Sequence, residues 1–262
     1  MADPAGSVAE KGTGRDHSAA IPAITRRLRG DALRVLGSRA RPDLAWISRV
    51  AECEVPEAEL ALGDLDRHSS AVRELAETVS RTGRTYYAQF PAPLDLFALV
   101  RVVRPRTIIE SGVASGVSST FLLLGAKSNG WGKLHSIDFP VKRKEAGRNE
   151  SWAIPGRRSS GWAVPRALRR RWDLRLGRSE DLLKPLLEEI GVLEFYCHDS
   201  PVDVEHFEFE MRAILPHLRP GSLVVADNTD WDVFRSAAES VGAVPIRRKK
   251  SDLGAFRVPG RK

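Results

Sequence analysis

From Thr107 onward, short β-rich runs alternate with helix-like segments, and this alternation constrains the fold more than any other feature of the chain. Thr107-Ile108-Ile109-Glu110 is a brief β-rich run, followed by a glycine loop and the apolar helix Ser119 to Ala126. Leu134 to Asp138 reads as a second strand, and Trp172 to Leu176 as a third, alternating polar and apolar. A helix is expected from Ser179, with Ser179 as its cap and Glu180 and Asp181 in the first turn, where carboxylates favour the dipole. Leu193 to Cys197 is a fourth strand. Glu205 to Leu218 is a helix stopped by Pro220-Gly221, and Ser222 to Ala226 is a fifth strand. Val233 to Ser240 is a helix, and Val244 to Arg247 and Ala255 to Val258 are two closing strands. Strands alternating with helices imply βαβ units. The expected fold is therefore α/β: a doubly wound, mainly parallel sheet of about seven strands with helices on both faces.

The segment before this pattern differs. Residues 1–20 lack any period and read as a disordered tail. Residues 21–84 read as a helical N-terminal extension, with helices over Ile21 to Arg41, Ala45 to Ala51 and Ala71 to Val79. The α/β domain is placed at 85–262, starting from the helix Leu94 to Val103 that Pro105 ends.

Composition excludes several classes. No run approaches the roughly 18 apolar residues of a membrane span, and Met1 to Ala20 has no apolar h-region, so no secretory signal is expected. Cys53 and Cys197 are too few for a disulfide framework or a structural zinc site, and buried thiols in a reducing cytoplasm are expected. The net charge of +7 admits an acidic partner.

In parallel sheets, ligands bind beyond the carboxyl ends of the strands. After the first strand runs Glu110-Ser111-Gly112-Val113-Ala114-Ser115-Gly116-Val117-Ser118-Ser119. Glycines let the backbone turn sharply and approach a ligand, and the next helix offers free N–H groups. Strand two ends in Asp138, an acid able to accept from both hydroxyls of a ribose. These two strand ends suit a nucleoside-containing cofactor. A dinucleotide fingerprint does not fit, because Ala114 and Val117 stand where its second and third glycines belong.

Glu110, Gly112, Ala114 and Gly116 instead resemble the first motif of class I S-adenosylmethionine-dependent methyltransferases, which have a Rossmann-like sheet. The resemblance covers about Leu94 to Val258. It implies that Glu110 and the loop through Ser118 hold the methionine end of the cofactor, that Asp138 holds the ribose, and that Ser179-Glu180 lies against the adenine. At strands four and five the ends Cys197-His198-Asp199 and Ala226-Asp227-Asn228 resemble the catechol O-methyltransferase-like branch, with its related sugar and macrolide (macrocin-type) O-methyltransferases. There the resemblance implies a divalent cation on Asp199, Asp227 and Asn228. Three oxygen side chains suit a hard cation such as Mg²⁺ independently of it, although Asp199 as a helix cap and Asp227-Asn228 as a turn account for the same residues. One position departs from that branch: Val202 stands where its general-base lysine belongs. His206 and Asp199 are the remaining catalytic candidates for accepting the proton, with His206 also readable as a helix-surface residue.

Between Pro140 and Asp173 lies a basic insertion, ten cations against three anions, whose excess equals that of the whole chain. It also carries Trp152, Trp162 and Trp172. It reads either as a substrate loop favouring an anionic or aromatic acceptor, with Arg169, Arg170 and Arg171 steering it, or as a solvated loop.

The sequence thus points to a cytoplasmic methyltransferase acting on a small-molecule hydroxyl with help from Mg²⁺ or a similar cation. The rivals are a metal-independent methyltransferase of the same fold and a non-catalytic nucleic-acid-binding or scaffolding protein. No membrane partner is expected and no RNA-binding module is recognisable. Homo-oligomerisation is left open.

Overall fold

The computed structural model describes residues 41–82, 90–140, 154, 157–200, 203–227 and 229–260. The tail 1–20, the helix expected over Ile21 to Arg41, Asn228, Val202, Trp152 and the first half of the basic insertion lie outside these residues.

Helices α1 (Leu44–Ala51), α2 (Val55–Gly63) and α3 (Ser69–Ser80) come first. Asp43 caps α1, accepting from Trp46 N at 3.0 Å. Helix α2 was not anticipated, because its apolar residues do not gather on one face. Helix α4 (Pro93–Val103) opens on a proline and closes at Arg104 in a left-handed turn just before Pro105. The alternation then runs β1 (Thr107–Ser111), α5 (Val117–Asn129), β2 (Lys133–Asp138), β3 (Trp172–Leu176), α6 (Ser179–Ile190), β4 (Leu193–His198), α7 (Val204–Ile214), β5 (Leu218–Ala226), α8 (Trp231–Ser240), β6 (Ile246–Arg247) and β7 (Gly254–Arg257).

Two local expectations need correction. Ser179 is the first helical residue rather than the cap; Arg178 occupies the cap position and makes no side-chain cap bond. The helix expected to reach Leu218 stops at Ile214, and a 3₁₀ turn, Leu215–His217, leads straight into β5. Pro220-Gly221 is therefore inside β5, where the pairing with β4 is irregular and a missing N–H is tolerated.

The seven strands lie in the order β3-β2-β1-β4-β5-β7-β6. β1 to β5 are parallel, and β7 runs antiparallel between β5 and β6. The order reverses between β1 and β4, which opens a crevice at their carboxyl ends. Alternate side chains feed two cores, as the period of a strand requires. Ile108, Phe195, Cys197 and Leu223 face α4, α5 and the N-terminal helices; Ile109, Tyr196, Val224 and Phe256 face α6, α7 and α8. Among the described residues no helix is long and apolar enough to cross a membrane. Cys197 is a buried free thiol and Cys53 a half-buried one.

Candidate active site at the carboxyl ends of the strands

The β1 end is built around a buried charge. Glu110 is fully buried, and its Oε2 accepts from the Ser119 hydroxyl at 2.6 Å and the Ser136 hydroxyl at 2.7 Å. Ser136 is fixed in turn by the Trp172 indole N–H at 2.9 Å. Among the described residues the other oxygen, Oε1, finds no hydrogen-bond partner. Burial pushes the Glu110 carboxyl up to about 7, against the pull of the nearby Ser118, Ser119 and Ser136 hydroxyls. A buried acceptor left half-satisfied is rare, and a cationic or N–H donor from a ligand could supply what is missing.

The loop after β1 is tightly packed. Gly112 has φ +85°, and a Cβ there lies 2.1 Å from the Asp199 carbonyl oxygen. The Asp199 N–H donates to Ser111 O at 2.8 Å, so the ends of β1 and β4 are clamped at this glycine. Gly116 has φ +90° and caps α5; a Cβ there meets Val164 Cγ2 at 2.4 Å. Ala114, in the middle place of the motif, also takes a left-handed conformation, φ 44°.

Asp138 stands opposite. Its Oδ1 accepts from Val113 N at 2.9 Å and weakly from Ala114 N at 3.4 Å, and its Oδ2 accepts from the Ser160 hydroxyl. Ser160 belongs to a strap that crosses the loop, with Gly161 N on Ala114 O at 2.9 Å and Ala163 N on Ser115 O at 3.0 Å. Sequence reasoning missed Ser160, which carries no motif of its own and sits in a segment of little regular pattern.

The structure brings Asp199 and Asp227 to the ends of neighbouring strands, with Asp227 N donating to His198 O at 3.0 Å. Asp199 is pushed well above the usual carboxylate range, first by burial, then by the negative charges of Asp227, Glu110 and Asp138. The four strand-end acids thus share one electronegative crevice. Among the described residues no cluster of three metal-ligating side chains forms. Asn228, the third expected ligand, lies outside them.

Behind the crevice is a network that the sequence did not announce. Glu210 on α7 is fully buried; its Oε2 receives the Tyr196 hydroxyl at 2.8 Å and meets His198 Nδ1 at 2.6 Å. Ser111 joins Tyr196 at 2.8 Å. His206 belongs to this network rather than to an open face. It lies 3.1 Å from Glu210 Oε1 and 3.2 Å from Glu180 Oε1, with Ser179 Oγ at 3.3 Å. These contacts, led by Glu210, push the His206 imidazole up to about 9. Raised in this way the imidazole favours its charged form, and its contacts with Glu210, Glu180 and Ser179 give His206 a structural place between α6 and α7. Ser179 and Glu180 tie the start of α6 to α7 through this same histidine.

The basic insertion splits on inspection. Its strap, Ser160 to Val164, covers the glycine loop, but Arg166–Arg171 form a 3₁₀ turn leading into the start of β3. Arg171 reaches Gly130 O at 2.8 Å, and Arg169 reaches Val164 O at 3.2 Å. These arginines hold backbone carbonyls, and Arg171 stands at the amino-terminal edge of the sheet, away from the crevice. Trp172 is a partly buried member of the core, its ring filling the space against Gly161. Trp162 lies half-buried beneath the Arg158 guanidinium at 4.6 Å.

Residues 109–229 match a family model described as a methyltransferase domain. No curated protein matches the chain. Among solved structures, the SAH-bound methyltransferase PaMTH1 of Podospora anserina is 14% identical, with 72% of this chain and 88% of that one covered, at a TM-score of 0.50. The O-methyltransferase of Bacillus cereus in complex with SAH is 16% identical, covering 73% and 91%, at 0.49. The O-methyltransferase TomG of Streptomyces achromogenes, involved in tomaymycin synthesis and bound to SAM, is 19% identical, covering 72% and 90%, at 0.49. The match to PaMTH1 shows a shared fold.

Proposed function

We propose that this chain, whose residues 109–229 match a methyltransferase-domain model on a doubly wound sheet, is a class I S-adenosylmethionine-dependent O-methyltransferase that acts on the hydroxyl of a small molecule with help from a divalent cation. The observation that carries the reading is Glu110 Oε1, a buried carboxylate oxygen for which the described residues supply no hydrogen bond, beside the glycine loop at the switch point of the sheet. An amino-acid ammonium is the kind of group that answers it. Asp138 keeps lone pairs beyond those that Ser160 and Val113 occupy, and a ribose hydroxyl would donate to them.

S-adenosylmethionine, when bound, supplies a methyl group on a sulfonium, electrophilic without further activation. The chain's part is to align and to manage a proton. That chemistry would exchange the cofactor's S–C bond for a new O–C bond on the acceptor, so what falls to this chain is to hold the acceptor in line and to take up its hydroxyl proton. Asp199 is the carboxylate placed at the crevice to take it, now that His206 is committed elsewhere. Asp199 and Asp227, with Asn228 as third ligand, would hold an Mg²⁺-like ion, whose contribution is to acidify and orient the acceptor hydroxyl.

Calorimetry with S-adenosylhomocysteine, with and without Mg²⁺, tests this reading. The cofactor product is expected to bind wild type, and Mg²⁺ is expected to give a separate heat that Asp227→Ala abolishes. No heat with S-adenosylhomocysteine would remove the enzyme reading. Equal Mg²⁺ heats in wild type and Asp227→Ala would favour the metal-independent rival.

A further inference from the structure

Among the described residues, basic clefts open at opposite ends of the sheet. One, about 400 Å³, is lined by Leu123, Lys127, Ala167, Leu168, Arg170 and Arg171. It adjoins the carboxyl half of α5 and the 3₁₀ turn that leads into β3, at the end where the parallel strands begin. The other, about 550 Å³, is lined by Arg247, Arg248, Lys249, Lys250, Ser251 and Asp252, the turn between β6 and β7. Because β7 is antiparallel to β5, this turn stands where the parallel strands end. Gly254 pairs with Ala226, and Thr229 N donates to Asp252 O at 3.4 Å. The turn therefore touches the segment that carries Asp227.

The four consecutive cations of the turn divide into a frame and a pair. Arg248 is committed: its Nε donates to buried Asp95 Oδ2 at 2.7 Å and its Nη2 to Arg41 O at 2.6 Å. Arg247 pairs with Asp252 at 2.5 Å, donates to Ser251 O at 3.2 Å, and lies 4.9 Å over the Trp231 ring. Lys249 and Lys250 are exposed, and no described residue pairs with either. The arginines fix the turn and leave two ammoniums on the wall of a cleft. Lysines on a turn are common, and alone they signify little. Here the turn is joined, through Asp252 and Thr229, to the segment that carries Asp227, so cations and acids stand on adjoining segments. On one side of Thr229 are the acids Asp199 and Asp227; on the other are Lys249 and Lys250.

We infer that this turn is the anion subsite of the methyl acceptor, and that the acceptor is a phosphorylated small molecule whose phosphate meets Lys249 and Lys250. The inference rests on the methyl-transfer reading above, with the acceptor hydroxyl at Asp199 and Asp227. Two ammoniums bring a double positive charge and six N–H donors, which match a phosphate dianion better than a carboxylate. It places an anion preference at this turn rather than at Arg169, Arg170 and Arg171. Arg169 and Arg171 are spent on backbone carbonyls, and Arg170 lines the cleft at the far end of the sheet.

The test is titration of the full chain with inorganic phosphate at low ionic strength, with acetate in parallel, each with and without S-adenosylhomocysteine. Phosphate is expected to bind, and acetate to bind at least about tenfold more weakly. Lys249→Glu/Lys250→Glu is expected to weaken phosphate at least about tenfold, and added salt to erode the wild-type affinity. Its melting temperature and its affinity for S-adenosylhomocysteine are expected to match wild type. Lys127→Glu/Arg170→Glu, in the opposite cleft, is expected to change none of these. Phosphate affinity untouched by the hairpin variant, lost instead in the opposite-cleft variant, or equalled by acetate would overturn the inference. Failure of S-adenosylhomocysteine to bind would count against the enzyme reading alone, since the phosphate arm without it still reads the turn.

Discussion

At the residue scale, Glu110 couples the fold to its ligand through a proton. Burial lifts its carboxyl from 4.5 to about 7, so the folded chain holds that proton more tightly than the unfolded chain does. The sign follows from linkage. Its contribution to stability is fully present below about pH 4.5 and is lost as pH rises through about 7. Asp95, lifted to about 6 by burial against the Arg248 cation, adds a smaller limb of the same sign. Without ligand, the melting temperature is therefore expected to fall between pH 5 and 8, and Glu110→Gln to remove its own share of that fall, while Asp199 and His206, both raised, keep theirs. Ligand binding runs the other way. A cationic group opposite Oε1 favours the ionised carboxylate, so affinity for S-adenosylhomocysteine is expected to rise across the same window. Glu110→Gln is expected to remove that rise and to cost roughly tenfold to a hundredfold in affinity, the worth of one charged hydrogen bond. Calorimetry at pH 5.5 and 8 checks both. A variant whose affinity equals wild type at both values would place the cofactor elsewhere.

At the element scale, the strand-end loop is a packing junction as well as a binding loop. From sequence alone, Gly112 is expected to make room for a ligand. In the structure its missing side chain makes room for the backbone of Asp199, 2.1 Å from an added Cβ. Gly112→Val is therefore expected to part β1 from β4 and to destabilise the chain by more than about 3 kcal/mol, as backbone overlap in a packed core does. Urea unfolding measures it, and a variant with wild-type stability that fails only to bind would restore the simpler ligand-clearance view. The contrast shows what the sequence makes legible. Strand ends are readable because chemistry collects there: Glu110, Asp138, Asp199 and Asp227 are acids where β-rich runs stop, and all four converge. Contacts between elements far apart in sequence are not readable. Nothing around Glu210 announces that it meets Tyr196 and His198 across a helix–strand gap, and nothing around Ser160 points to Asp138. The run Arg247-Arg248-Lys249-Lys250 is not singled out by the sequence, where the charge of the insertion accounts for the excess of the whole chain. Its place depends on the antiparallel β7, which sets the run at the end of the sheet where the parallel strands stop, and strand direction is not written in composition.

At the scale of the whole molecule, the helices before the sheet share its core. Trp46, Ile47, Val50, Leu62, Leu65, Val72, Leu75 and Val79 are buried in the same cluster as Phe97, Val100, Leu124 and Phe195. Polar ties reinforce the contact: Trp46 Nε1 donates to Ile246 O at 3.1 Å, Arg257 reaches Ala51 O, and Asp43 N meets Asp95 at 3.2 Å. Eight such side chains, at about 1.5–3 kcal/mol each, represent roughly 12–24 kcal/mol of burial. Even half of that, the share made against α4 and α5 rather than within the helices themselves, is comparable with the roughly 5–15 kcal/mol net stability of an ordinary domain. Deletion of residues 1–82 is therefore expected to leave a chain that does not fold cooperatively. It should aggregate or bind a hydrophobic dye, lose its sharp thermal transition and fail to bind S-adenosylhomocysteine, although every strand-end acid is retained. Differential scanning calorimetry of the truncated chain decides the matter: a single sharp transition with intact ligand binding would show that the α/β part carries its own core. The expected failure has a functional consequence. Arg248 is anchored on Asp95 and on Arg41 O, and Asp95 is also the partner of Asp43, so the N-terminal helices and the basic turn beside the crevice are held by one buried carboxylate.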